Sequence, residues 1–231
     1  MLVTTGGLVE QISGSIGGIT GSRNRFGQYF RQRSMPVNPD TGRQQEIRQH
    51  FSNVTARWSQ TLTQAYRNGW NLYGDSVVMK NKLGQDVYLT GFNHYVRTNV
   101  ARLQAGLDEV DIPPVVFSLP AADSTFDAAI SEATQLATIT FDDTASWCSA
   151  DGAALITLMT TPKDVGRDYI VGPTRYMDVI EGDSVTPPTS TVTQSVPFVC
   201  SENQKVIVYA RIATADGRLS EPFRVTPTVA A

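Results

Sequence analysis

The stretch KVIVYARIATADGRLSEPFRV, residues 205–225, carries the pattern on which the fold turns. Val206, Val208, Ala210 and Ile212 alternate with Ile207, Tyr209 and Arg211, which sets an apolar face toward a core and a mixed face away from it, as in a half-buried strand. Asp216 and Gly217 then supply a turn, because glycine reaches the positive φ that a tight reversal needs. Residues 220–225 return as the second strand of a hairpin.

Upstream, further β-rich runs recur between turn residues: VVFSL (115–119), LATITF (136–141), ALITLMT (154–160), RYMDVI (175–180) and TVTQSVPFV (191–199). About seven strands in roughly 115 residues is the strand density of a two-sheet sandwich. The segment LDEVDIPP, 107–114, combines charge and proline where the composition shifts, and is expected as a linker.

Before that point the period is helical. From Gly42, residues Ile47, Phe51, Val54 and Trp58 fall at offsets of four, three and four, one face of a helix running to about Ser59. Leu62, Tyr66, Trp70 and Tyr73 continue the pattern after a restart capped by Thr61 or Thr63, ending at Gly74 and Asp75. Residues 77–89 suggest a short hairpin or loop around Gly84. Thr90 can cap a third helix whose Phe92, Tyr95, Val96, Asn99 and Leu103 share a face, with Gly106 closing it.

The N-terminal stretch SGSIGGITGSRNRFGQYFRQRSMPVNP, 13–39, contains glycines, aromatics and arginines and no acidic residue. Its spaced glycines fit a strand-like arm with tight bends that becomes ordered against a partner. In one continuous extended chain Arg23, Arg25, Arg31 and Arg33 would share a face with Tyr29, and Phe26 and Phe30 would take the other. That bifacial layout suits strand addition to a neighbouring subunit, so Arg23, Arg25, Phe26, Tyr29, Phe30, Arg31 and Arg33 are the candidate partner-binding residues. The same arginines and aromatics could instead take phosphates and stack on bases, the less favoured use because a loose polycation has no need of so regular an arrangement.

Charge is divided along the chain. Residues 1–106 hold 12 Lys and Arg against 5 Asp and Glu, and residues 107–231 hold 7 against 17, so a net −3 conceals a basic half and an acidic half. This argues for oriented association, the basic end toward an acidic partner. Two cysteines, Cys148 and Cys200, are too few for a metal cage and are expected as reduced, buried thiols. Neither a signal peptide nor an apolar run long enough to cross a bilayer is present, so a soluble cytosolic product with no membrane partner is expected.

The residues for catalysis are sparse. GSIGGITGS lacks the spacing of a dinucleotide or P-loop motif, and no helix is expected after it. His50 and His94 each sit within a helical pattern, where packing or surface roles are the ordinary outcome. Asp142 and Asp143, with Asp178, Glu181 and Asp183, could gather calcium, but solvated loop acids are the default. No catalytic, cofactor-binding or metal residues are therefore assigned, and the protein is expected not to be an enzyme.

Two resemblances add to this. VIVYARIATADGRLSEPF (206–223) resembles the last hairpin of fibronectin type III and related immunoglobulin-like modules, extending over about residues 113–228. The run SGSIGGITGSRNRFGQYFRQR, then PVNPDTGRQQ, LTQAYRNGWNLYG and LTGFNHYVRTN, over about residues 12–106, resembles a family of tailed-bacteriophage and prophage virion proteins. The resemblance implies a structural role. The expectation is an α+β chain: an extended arm (1–41), a small helical domain (42–106), a linker (107–114) and an all-β immunoglobulin-like sandwich (115–231). Its expected role is that of a head cement or decoration protein, docked through the arm to other virion proteins in an assembly of copies formed in the host cytoplasm. The alternatives are a neck or tail component, a nucleic-acid-binding protein using the arm, and an adhesive module using the loops at 166–173 or 186–190.

Overall fold

The computed structural model describes every residue except 1, 4–12, 25, 26, 36, 81, 82, 168, 169 and 171. The chain is α+β, with helices and antiparallel sheets, and divides into two compact units, Met1–Gly42 and Arg43–Ala231.

The first unit is a small antiparallel sheet of β1 (Leu2–Val3), β2 (Gly14–Ile16), β3 (Ile19–Asn24) and β4 (Gly27–Gln32), in the order β1-β4-β3-β2. Ile16 pairs with Ile19, so Gly17 and Gly18 form a two-residue hairpin loop, and Gly17 takes φ +57°, where a side chain would be strained.

The second unit begins with α1 (Gly42–Gln60), α2 (Gln64–Ser76), the hairpin of β5 (Val78–Lys80) and β6 (Asp86–Tyr88), and α3 (Gly91–Gln104). The caps are those expected: the Thr63 hydroxyl accepts from the Tyr66 N–H and the Thr90 hydroxyl from the Asn93 N–H, each at 3.3 Å. Val54, Leu62, Trp70, Tyr73, Val77 and Tyr95 are buried together, with Trp70 edge-on to both Tyr73 and Tyr95. The apolar face of α1 is covered only toward its C-terminal end. Val54 is fully buried, whereas Ile47 and Phe51 are exposed, Phe51 by 52%.

The β-rich part contains β7 (Asp127–Ser131), β8 (Leu136–Thr140), β9 (Ala154–Thr160), β10 (Lys163–Asp164), β11 (Thr174–Glu181), β12 (Val192–Ser195), β13 (Gln204–Lys205), β14 (Val208–Ala213) and β15 (Phe223–Val225). Three form the sheet β12-β8-β7, four the sheet β11-β9-β14-β15, and β10 pairs with β13. Ala128, Ile130, Ala137 and Ile139 from the smaller sheet share one core with Leu155, Met159, Val208, Ala210 and Ile212 from the larger. Trp147, in the loop before β9, is buried in this core against Phe141.

Several segments differ from expectation. Residues 115–119 form no strand: they follow Pro113-Pro114 and leave Val115, Val116 and Phe117 exposed. The strand that pairs with β8 on the side away from β12 is instead DAAIS, whose Ala128 and Ile130 alternate inward although its composition is weakly β-forming. The last strands are shorter than their sequence runs, β12 stopping before Pro197.

Residues 107–114, read as a linker, are bound to the helices. The Asn99 side chain donates to Val110 O at 3.1 Å and accepts from Val110 N at 2.7 Å, and the Trp70 indole donates to Asp111 O at 2.9 Å. A second cluster, with Ala105 and Leu107 against Ala154, Ile156, Ala213 and Leu219, seats the end of α3 on the outer face of the larger sheet.

Candidate functional site

In the arm, Arg23 lies on β3, and Tyr29, Phe30 and Arg31 lie on β4; Arg33 follows, its N–H donating to Gly18 O at 2.8 Å. Arg25 and Phe26 lie outside the described residues. Arg23, Arg31 and Arg33 are exposed, and Tyr29 and Phe30 are half-buried.

The expected single arginine face is not what the register makes. Asn24 pairs with Gly27, Arg23 with Gln28, Ser22 with Tyr29, Gly21 with Phe30 and Thr20 with Arg31. Partners directly opposite in an antiparallel pair share a face. Arg23 therefore joins Phe30, and Arg31 joins Tyr29 on the opposite side. Residue parity assumed one continuous strand; reversal between β3 and β4 pairs odd positions with even ones. The 2.8 Å contact between the Ser15 and Thr20 hydroxyls agrees, since both fall on the face of Arg31.

The face carrying Phe30 and Arg23 also bears Ile16 and Ile19, which are 86% and 54% exposed. With Ser13, Gly14 and Gly21 they line a shallow depression of about 230 Å³. This face is apolar with Arg23 toward one end, and the other carries hydroxyls, Tyr29 and Arg31.

The remaining candidates take structural positions. GSIGGITGS is the β2–β3 hairpin. His94 is buried edge-on to Tyr73, 5.0 Å between ring centres, and burial, followed by the Arg97 charge, lowers its pKa to about 4. His50 lies 3.7 Å from Glu46 on α1. Asp142 accepts from the N–H and hydroxyl of Thr144, and Asp183 from the N–H groups of Val185 and Thr186, so both carboxylates close their own turns. Those hydrogen bonds hold each carboxyl below the usual range. Among the described residues no group of three or more acids, histidines or cysteines is placed to hold a metal.

Cys148 and Cys200 are both buried and unpaired; burial first, then the charges of Asp143, Asp142 and Asp123, pushes the Cys148 thiol up to about 11. Of the loops considered for adhesion, 166–173 lies partly outside the described residues, and in 186–190 the Ser190 N–H is tied to the Asp143 carboxylate. No described helix is long and apolar enough to cross a membrane.

One feature escaped sequence reasoning. The outward residues of β14, Tyr209 and Arg211, do not face open solvent but line a concavity under α3. Their alternation was legible, while the helix that walls them is distant in sequence.

No family model and no curated protein matches the chain. A solved structure, the family 76 glycoside hydrolase from a bovine Bacteroides thetaiotaomicron strain, aligns with 47% of this chain at 12% identity and a TM-score of 0.32. The aligned part spans 20% of that protein's length. The expectation that the chain is not an enzyme is withdrawn on this finding, since the matched protein is titled a hydrolase; a likeness so slight assigns neither a fold nor an activity here.

Proposed function

We propose that the chain is a structural protein of a tailed-bacteriophage virion, a head cement or decoration protein held in an assembly of copies by its N-terminal arm. The observation that carries this is the arm itself: a separate compact unit with an apolar face bearing Ile16 and Ile19 and with exposed Arg23, Arg31 and Arg33. Apolar surface with a guanidinium at its edge on one face, and a second guanidinium on the other, is suited to a carboxylate-bearing protein neighbour. Arg23, Arg25, Phe26, Tyr29, Phe30, Arg31 and Arg33 are the proposed contact residues, and of these Arg23 and Arg31 lie on opposite faces rather than sharing one. The resemblance of residues 12–106 to phage virion proteins supports the same reading.

An immunoglobulin-like sandwich is proposed for the remainder. The orders β7-β8-β12 and β11-β9-β14-β15 correspond to strands A-B-E and C′-C-F-G of a fibronectin type III module, which supports it. Such a module would display the acidic half of the chain.

The test is deletion of residues 1–41. The expected product is soluble and folded, since residues 43–231 form their own compact unit, but absent from purified particles. Normal incorporation would overturn the proposal. A second reading, nucleic-acid binding, is favoured by Tyr29 and Arg31 sharing one face, a stacking surface beside a phosphate ligand. Its mark would be arm-dependent DNA affinity falling steeply with salt.

A further inference from the structure

The outer face of the larger sheet holds a hollow. In register, Leu158 of β9 stands between Tyr176 of β11 and Tyr209 of β14, and Ile156 stands opposite Arg211. Ala101 and Gln104 of α3 rise beside these rows, Thr174 and Pro222 complete the rim, and the open hollow between them is about 260 Å³. Ala101 is small, so the helix leaves a hollow where a larger residue would close onto the sheet.

Arg211 is half-buried, and its guanidinium makes no hydrogen bond or ion pair with any described residue. Its charged neighbour is Arg97, which donates to the carbonyls of Leu219 and Ser220 at 2.7 and 2.5 Å. Glu221 accepts from the Lys80 N–H at 3.0 Å. Two cations thus approach each other with no carboxylate bonded to either. Burial, then the Arg211 charge, lowers Arg97 to about 10, and burial lowers Arg211; a guanidinium nonetheless keeps its proton at neutral pH. A cation partly removed from water without a counter-charge is unfavourable, and an anion brought to it recovers that loss.

The walls select which anion. Leu158 and Ile156 give an apolar floor flanked by two phenol rings, suited to a flat apolar body. One free guanidinium fork matches the two oxygens of a carboxylate; a phosphate, with more charge and more acceptors, would find too few donors. We propose that this pocket binds a small aromatic carboxylate, its acid group paired to Arg211 and its ring over Leu158 between Tyr176 and Tyr209.

The probes are sodium 3-phenylpropionate and its uncharged amide, titrated into the full chain while following the Leu158 methyl and tyrosine ring resonances by NMR. The acid is expected to shift these resonances saturably, and the amide to bind about tenfold more weakly or worse. Arg211→Gln should bring the acid down to the level of the amide. No saturable shift, equal affinity for acid and amide, or unchanged acid binding by Arg211→Gln would each overturn the proposal. The acid–amide comparison on the unaltered protein decides the matter if the variant does not fold.

Discussion

Arg57 and Asp111 form a two-armed ion pair, Nε to Oδ1 and Nη2 to Oδ2, each at 2.8 Å. The Tyr95 hydroxyl donates to the same Oδ1 at 2.9 Å, so one carboxylate joins α1, α3 and the segment that leaves α3. Burial pushes the Asp111 carboxyl up, but hydrogen bonds from Arg57 and Tyr95 outweigh it and hold the group below its usual range. Asp111→Ala should cost about 2–3 kcal/mol in urea unfolding, because it strands a buried phenol as well as an arginine. Arg57→Ala should cost nearer 1 kcal/mol, since Arg57 is partly in solvent and Tyr95 keeps its acceptor. Equal losses from the two variants would contradict this assignment.

His94 makes stability depend on pH. Its folded pKa of about 4 lies below the ordinary value of 6.5, so protons bind the unfolded chain first. The neutral ring carries no penalty above pH 6.5, and stability is lost as pH falls toward 4, by up to about 3 kcal/mol. Denaturant midpoints measured from pH 7 to 4.5 should fall less steeply in His94→Phe. An unchanged slope would remove His94 as the cause.

Gly74 is placed where α2 meets the start of α3. A Cβ there would lie 2.5 Å from Leu89 O and 2.7 Å from Gly91 N, both backbone atoms that cannot swing aside. Alanine improves helix propensity by about 1 kcal/mol, but the clash should outweigh it, leaving Gly74→Ala about 1–3 kcal/mol less stable. A stabilised variant by calorimetry would show the helices to be further apart.

The thiols should be inert. With Cys148 raised to about 11 by burial and nearby acids, and Cys200 raised by burial, little thiolate exists at pH 8. A thiol-reactive reagent should modify neither in the native protein and both in denaturant. Rapid native labelling would mean the core around Trp147 opens readily.

Position on α1 separates two residues of one sequence face. Val54→Ala should cost about 1–3 kcal/mol, while Phe51→Ser should change stability by less than about 0.5 kcal/mol, because Phe51 stands 52% exposed. Urea unfolding of the pair distinguishes them.

Local chemistry made much of the fold legible. Thr63 and Thr90 cap helices because their hydroxyls reach an N–H three residues on, and Gly17 turns a hairpin because it lacks a side chain. The alternation of Val206, Val208, Ala210 and Ile212 identified the inner face of the last hairpin, and all four are buried. What failed was inference across elements. A single arginine face requires one continuous strand, and the β-rich composition of 115–119 does not by itself make a strand after Pro113-Pro114. The strand at 127–131 gains its place from pairing with β8 rather than from its own residues.

The sequence by itself determined element type, caps and core-facing positions, since these depend on contacts within a few residues. Only the tertiary structure decided that Arg23 and Arg31 point to opposite sides, that Asp111 joins two helices, and that Arg211 meets a hollow under α3 without a counter-charge. Each of these depends on register or packing between segments far apart in the chain, where spacing along the sequence carries no information about direction.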